Sequence, residues 1–499
     1  MSIVADVRLD NRDELGDALG LRSAEMASLS DQALLLRAWL RWREDCLERL
    51  VGAFAFACWD PQTQRLFLAR DHAGERPLFF SQQPGFFAFA SMPKGLRALP
   101  EIGSRLRVAR MAHFLGIVTP QGTETFFEGI ERLLPGHAMT ATAEQVQIRR
   151  YWHPLEAKPI RYRHDDEYVA DFQERFDRSV EARLASSGPI AAQLSGGMDS
   201  SSVAATAARL LTQSDRRLTC FTAVPLPEFD GSAPFGRFGD EGPAAAEVAA
   251  MHPNIDHRLV SAAGEDLLQS IERGNRLTDQ PVFNPTNQMW VDAILHQARR
   301  QGSRVLLQGV CGNATISFGG LVGLADLLRG GRWISLARQI RQLRAKGHTS
   351  WRGGASWAMG GLAPRWLRGL MHPEMRTFSF SFSPIHPERA REYHLREKVL
   401  EEFFGSDTSS ASLRRKLYEY YDPGQLNAAA AQGWGIENRD PTQDRRIFEF
   451  CFAIPIEQYL AEGQSRSLIR RAMTGRLPAN TLARTTRGLQ AADWYVVMG

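Results

Sequence analysis

From Pro189 to Leu211 the chain reads PIAAQLSGGMDSSSVAATAARLL: a short apolar run, two glycines, an acid, then hydroxyl and alanine residues at helical spacing. A strand that turns through glycines straight into a helix leaves few folds open, and its surroundings narrow them further. EYVADFQERFDRSVEARLAS reads as helix, PIAAQL as strand, SSSVAATAARLL as helix, RLTCFTAVP as strand and EGPAAAEVAAMH as helix. DHRLVSA then reads as strand, QMWVDAILHQARRQG as helix and SRVLLQG as strand. Strands alternating with helices predict an α/β fold with a doubly wound parallel sheet, which binds ligands beyond the carboxyl ends of its strands. The glycine turn lies at such an end.

Paired glycines, Gly196 and Gly197, permit tight backbone conformations that turn successive N–H groups inward, and the following helix adds its positive end. Ser195 and Ser200 can add hydroxyl donors. Asp199 can hold a magnesium ion bridging phosphates, because Mg²⁺ prefers one or two carboxylates plus substrate oxygens. No lysine follows the glycines, so this is not the GxxxxGK[ST] phosphate loop, and the spacing is not GxGxxG. Hydride transfer and P-loop hydrolysis both lose support. The bland alternative is a helix N-cap with a tight turn. The whole pattern resembles instead the pyrophosphate loop of ATP pyrophosphatases, which split ATP between the α and β phosphates.

The first half of the chain has another rhythm. SIVADVRL, GAFAFACWD, RLFLARD, PLFFSQ and FFAFAS are apolar or alternating runs broken by turn residues, and SDQALLLRAWLRW is an amphipathic helix that Ser30 can cap. This predicts an α+β domain over 1–150, joined through RRYWHPLEAKPIRYRHDDE to a second domain over 165–499. Within the latter, about 327–373 is rich in arginine, tryptophan and glycine, and no acid occurs between Asp326 and Glu374. Such a stretch can meet a membrane surface, nucleic acid or an anionic peptide, or can simply be helices with a solvated basic face. The net charge is only +4, so the composition names no nucleic-acid partner. Five scattered cysteines without a CxxC pair argue against a disulfide framework or zinc knuckle and suit the cytoplasm. No apolar run reaches the roughly 18–20 residues of a membrane span, and no signal peptide is expected.

RLDNRDEL, GAFAFACWD, ARDHAGERPLFF and LLPGH, followed in order by QLSGGMDSSSVA, CFTAV, LLQGVCGNATISFGG, RDPTQDRRIFEFCFAIP and RSLIRRAMTGRLP, resemble the asparagine synthetase family from end to end. The resemblance implies a glutamine amidotransferase-like, Ntn-hydrolase-like domain followed by an ATP-pyrophosphatase domain. It implies ATP and Mg²⁺ as cofactors and an ATP site at Leu194, Ser195, Ala223, Gln308 and Gly309. Gly196, Gly197, Asp199 and Ser200 would hold magnesium pyrophosphate, and Arg466 would stand near the family's catalytic lysine. Arg470 and Arg471 are read as structural, Cys311 as a buried small residue, and Asp440 and Asp444 as caps or partners of Arg445 and Arg446.

Several positions depart from the family. Its SGEGxDE loop is here Gln308 to Ala314, with Val310 where the first Glu faces substrate and Asn313, a weak oxygen ligand, where an Asp helps hold the metal. Ser2 stands in place of the cysteine nucleophile, and Asp6-Val7-Arg8 replaces NGE, although Asp31 matches the residue that binds the glutamine amine. The amidotransferase-like part is expected to begin part-way into the family domain, and the C-terminal helix to continue beyond Gly499. Glutamine hydrolysis is not expected, because serine lacks the intrinsic nucleophilicity of a thiol.

Relatives with this architecture and no glutaminase chemistry are the β-lactam synthetases and the lasso-peptide macrolactam synthetases, and GNATIS, GLQAADW and DPTQDRR look most like the latter. That likeness implies a carboxylate substrate within a precursor peptide, with companion processing proteins. The alternatives are a glutamine-hydrolysing asparagine synthase with an upstream Met-Cys start, and a non-catalytic paralogue.

Overall fold

The computed structural model describes residues 1–119, 122–360, 378–404 and 409–498. In the N-terminal half a five-stranded antiparallel sheet runs in the order Ser2–Leu9, Gly52–Asp60, Arg65–Arg70, His137–Ala141, Val146–Arg150. Its centre shows why GAFAFACWD makes a strand covered on both faces. Side chains alternate between faces, so Phe54, Phe56 and Cys58 pack with Leu34, Leu35, Ala38 and Trp39 of helix Asp31–Trp42. Ala55 and Ala57 face the other way, toward Leu68, Leu78, Phe80 and Met139. That second face is covered by a three-stranded sheet ordered Phe86–Ala90, Phe79–Gln83, Glu131–Arg132. The expected Ser30 cap is present, its Oγ accepting the Ala33 N–H at 3.2 Å.

The C-terminal half carries a five-stranded parallel sheet ordered Ile255–Val260, Leu218–Ala223, Ile190–Gln193, Val305–Leu307, Glu437–Arg439. The chain leaves Ile190–Gln193 first to one side and later returns on the other. The order therefore reverses beside that strand, and a crevice opens at its carboxyl end. Helix Met198–Thr212 follows, and Val203, Ala204, Ala205, Ala207 and Ala208 on it are wholly buried. Small residues let this helix lie close to the sheet. Strand Glu437–Arg439 and helix Leu267–Thr278 add to the alternation read from the sequence.

The acid-free stretch folds, where described, into helices Gly323–Arg329, Trp333–Ala345 and Trp351–Gly360. Leu324, Leu327, Leu336, Ile340 and Leu343 bury a shared core that includes Leu460, while Trp333 and Trp351 are exposed. Packed helices with a solvated face account for these residues; 361–373 lie outside the described residues. Among the described residues no helix is long and apolar enough to cross a membrane.

Buried charges join the two halves. Arg183 contacts Asp444 at 2.8 Å, Asp10 at 3.1 Å and Glu75 at 3.2 Å. Arg8 contacts Asp10 and Glu437 at 2.9 Å and Glu75 at 3.2 Å, and Arg76 reaches Glu437 at 2.6 Å. Buried ions need such compensation.

Asp440 and Asp444 cap as expected, Asp440 accepting the Thr442 N–H at the start of Pro441–Gln443 and Asp444 the Arg446 N–H at the start of helix Arg445–Ala453. Asp444 does pair with Arg446, at 2.9 Å, but Arg445 pairs with Glu449. Asp440 pairs with neither arginine. It accepts the Thr442 N–H and hydroxyl and the Cys311 N–H, at 2.8, 2.6 and 2.9 Å, so it braces the loop that carries Cys311. Arg470 and Arg471 bind carbonyl and amide oxygens, including Arg484 O and Gln458 Oε1, as structural residues do.

Candidate active site

Strand Ile190–Gln193 delivers Ser195, Gly196 and Gly197 to the crevice, and the helix begins at Met198. Ser195 Oγ accepts the Gly197 N–H at 3.0 Å and lies 2.7 Å from Ser200 Oγ, which accepts the Ser195 N–H at 3.0 Å. One hydroxyl proton closes the serine pair, and the other remains for a ligand. The turn is thus fixed in shape by its own serines. Gly197 at the N-cap is extended and no side chain caps the helix, so its first N–H groups stay open to an anion.

The loop from Gln308 to Ala314 presses on this turn through two glycines. A Cβ on Gly309 would lie 2.9 Å from Asp199 C and Ser200 N, and one on Gly312 only 2.3 Å from Asp199 Oδ1. Gly312→Ala is therefore expected to push the Asp199 carboxylate aside. The melting temperature should fall by the equivalent of about 1–3 kcal/mol, with circular dichroism unchanged. An unaltered melting temperature would show that the loop gives way without moving Asp199.

Asp199 Oδ1 is buried without a hydrogen-bond partner. Burial pushes its carboxyl up, with the Ser317 hydroxyl, Arg466 and Arg487 pulling it back. An orphaned carboxylate oxygen beside an open helix N-terminus fits one protein ligand of a Mg²⁺ ion whose other ligands are phosphate and water oxygens. Asn313 fits less simply, because its Oδ1 already accepts from Arg466 Nη2 at 3.2 Å. Arg466 adopts a left-handed backbone at φ 58°, and burial pushes its pKa down, with Asp199 opposing.

The residues expected on the adenine side stand nearby. Leu194 N–H bonds Phe221 O at 2.9 Å, Thr222 Oγ1 donates to Leu194 O at 2.6 Å, and Gln308 N–H bonds Arg439 O at 2.9 Å. Leu194, Ser195, Gly197, Asp199, Ser200, Ala223, Gln308, Gly309, Val310 and Asn313 all line one cleft of about 2030 Å³. Gly196 packs behind it, where its Cβ would meet Ala244 Cβ at 2.9 Å. Asp31 is elsewhere. Its oxygens accept the Leu9 N–H at 2.9 Å and pair with Arg12, so the structure gives it neighbours in the N-terminal half and no place in this cleft.

Two residues escaped the sequence reading. Arg484 Nη1 donates to Gly196 O at 2.8 Å, adding a cation beside the turn. Glu241 lines the cleft, and burial, reinforced by Asp240 and opposed by Arg484, pushes its carboxyl up to about 7. Both come from segments without a motif, and only the fold brings them here.

The description "Asparagine synthase" matches residues 171–498, and "Glutamine amidotransferase domain" matches residues 1–152. The chain belongs to the asparagine synthase family. The family implies a ligase-type enzyme that uses ATP. Among its relatives, "Asparagine synthetase [glutamine-hydrolyzing] 3" of Bacillus subtilis is 26% identical over 97% of this chain and 74% of its own length. "Amidase chyE" of Penicillium rubens is 26% identical over 57% of this chain and 42% of its own. Among solved structures, the Bacillus subtilis glutamine phosphoribosylpyrophosphate amidotransferase aligns over 43% of this chain and 44% of its own, at 15% identity and a TM-score of 0.21.

Proposed function

We propose that this asparagine synthase-family chain joins a carboxylate to an amine by adenylation, and that the two groups belong to one peptide, which it closes into a macrolactam. The observation that carries the adenylating part is the serine-braced glycine turn at the switch point of a parallel sheet, with an uncapped helix N-terminus and Asp199, one of its oxygens unpartnered, lining the same cleft. A substrate carboxylate oxygen attacks the α-phosphorus of ATP, and pyrophosphate departs with the electron pair. The turn, Arg466 and Arg484 receive its charge. The amine then attacks the acyl carbon, loses its proton, and AMP leaves. Magnesium bound through Asp199 would supply further positive charge to the departing phosphates.

Two features favour a peptide. The cleft's 2030 Å³ is about twice the upper end of ordinary small-ligand pockets, near 1,000 Å³. Val310, half exposed on its wall, replaces an acid with an apolar contact. Holding both ends of one substrate makes the second step intramolecular, which can be worth several orders of magnitude. A reducing cytoplasm suits the five unpaired thiols. Companion proteins that deliver or trim the precursor peptide belong to this reading.

The name of the Bacillus relative favours a second reading, glutamine-dependent asparagine synthesis. That chemistry needs a nucleophilic thiol. Cys46, Cys58, Cys220, Cys311 and Cys451 are all buried, and burial pushes every thiol up, Cys46 to about 12 and Cys451 to about 11. None is a ready thiolate.

Incubating the chain with ATP, Mg²⁺ and either aspartate plus glutamine or a linear peptide bearing an acidic side chain and a free N-terminus separates the readings. The macrolactam reading predicts AMP, pyrophosphate and a peptide lighter by one water, only in the second mixture. Asparagine and glutamate from the first mixture would overturn it.

A further inference from the structure

The same cleft has a second charged feature on the wall supplied by the N-terminal half. Arg110, on helix Val108–Leu115, is only 8% exposed, and its guanidinium carbon lies 4.6 Å from the centre of the Phe126 ring. Its Nη1 is buried with no hydrogen-bond partner, and among the described residues no carboxylate forms an ion pair with it. The nearby acids are held elsewhere. Arg107 takes Glu124 at 3.2 Å and Glu131 at 2.7 Å, while Asp422 serves Arg70 at 3.0 Å and Arg132 at 3.3 Å. Arg132 lines the cleft as well and adds like charge. Burial and Arg132 push Arg110 down to about 10, with Glu124 opposing, so it is still charged at neutral pH.

A desolvated cation without a counter-ion is costly, and binding sites are where such a group persists. We propose that Arg110, beside Arg132 and Phe126, is a subsite for a carboxylate group of the substrate. The phosphates of ATP are poor candidates for this anion, because the proposed function assigns them to the glycine turn with Arg466 and Arg484 beside it. A carboxylate is favoured over inorganic phosphate because the guanidinium lies on the Phe126 ring, against which Phe114 packs, and apolar neighbours accept a weakly hydrated organic anion more readily. The guanidinium fork matches a carboxylate with two parallel hydrogen bonds. The anion site stands on Arg110's surroundings alone; its assignment to a substrate carboxylate rests on the synthetase reading.

The test uses the full chain without ATP. Thermal stabilisation is followed during titration with succinate, and separately with inorganic phosphate, at constant ionic strength, for the wild type, Arg110→Gln and Asp199→Asn. Succinate is expected to stabilise the wild type and Asp199→Asn alike and to bind Arg110→Gln about tenfold more weakly or worse. Without ligand, Arg110→Gln should melt at or above the wild-type temperature, because an uncompensated buried charge has been removed. Succinate binding that is absent from the wild type or undiminished in Arg110→Gln would overturn the site. So would a ligand-free Arg110→Gln that melts clearly lower or fails to fold, since Arg110 would then have a structural partner. Phosphate binding through Arg110 in preference to succinate would overturn the carboxylate. If Arg110-dependent succinate binding is present but no pyrophosphate is released with any peptide, the synthetase reading fails and the anion site stands.

Discussion

Asp199→Asn is expected to lower pyrophosphate release by on the order of 10²–10³-fold and to leave the protein as stable as before, or more so. The two effects have one cause. Asp199 Oδ1 is buried without a hydrogen-bond partner, and burial pushes the carboxyl above the ordinary range against the pull of Ser317, Arg466 and Arg487. An acid whose folded pKa is raised binds its proton more readily in the folded chain, so ionisation destabilises the fold as the pH rises through that value. Asparagine removes that burden at neutral pH, and the stability gained should shrink on acidification, where the wild-type carboxyl is protonated too. Melting temperatures across pH, measured beside pyrophosphate release, check both halves. A variant that is active but unstable would make Asp199 an ordinary structural acid.

Arg183→Met is expected to destabilise the chain by about 3–5 kcal/mol and to loosen the contact between its halves. Arg183 is 1% exposed and is the shared partner of Asp10, Glu75 and Asp444, so its loss strands buried carboxylates from both sides. Burial raises the Asp444 and Asp10 carboxyls, yet Arg183 with Arg446 at the first and Arg8 at the second holds both below the usual range. Their pairing therefore contributes stability above the unfolded pKa of about 4 and loses it as the pH falls through the lower folded values. Urea unfolding should show the full deficit near neutrality and a smaller one below pH about 4. Adding Asp444→Asn to Arg183→Met should recover part of it, as expected of residues in direct contact. Independent, additive losses would show that the network is not a unit.

What could be read from the sequence was what is local. The glycine turn was legible because strand, turn and helix are contiguous, and the GAFAFACWD strand because its two faces follow period two. Strand Glu437–Arg439 was not, since three residues carry no period and its charges serve Arg8, Arg76 and each other. The same holds for Asp10, Glu75 and Arg183, each an ordinary surface-type residue until the fold buries them together. The cap that Asp440 places on Pro441–Gln443 was legible because it is local, whereas its bond from the Cys311 N–H, remote in sequence, was not. Arg484 and Glu241 joined the site only through packing, and Arg110 became notable only when its neighbours proved to be engaged elsewhere.

In the proposed reaction a substrate carboxylate attacks the α-phosphorus of ATP at the Ser195–Ser200 turn. A linear peptide whose side-chain carboxylate carries ¹⁸O tests it most directly, because the attacking oxygen remains on AMP when the amine displaces it. The account predicts AMP containing one ¹⁸O, unlabelled pyrophosphate, and loss of both in Asp199→Asn. Release of ADP with ¹⁸O in the inorganic phosphate, or of AMP without label, would contradict it.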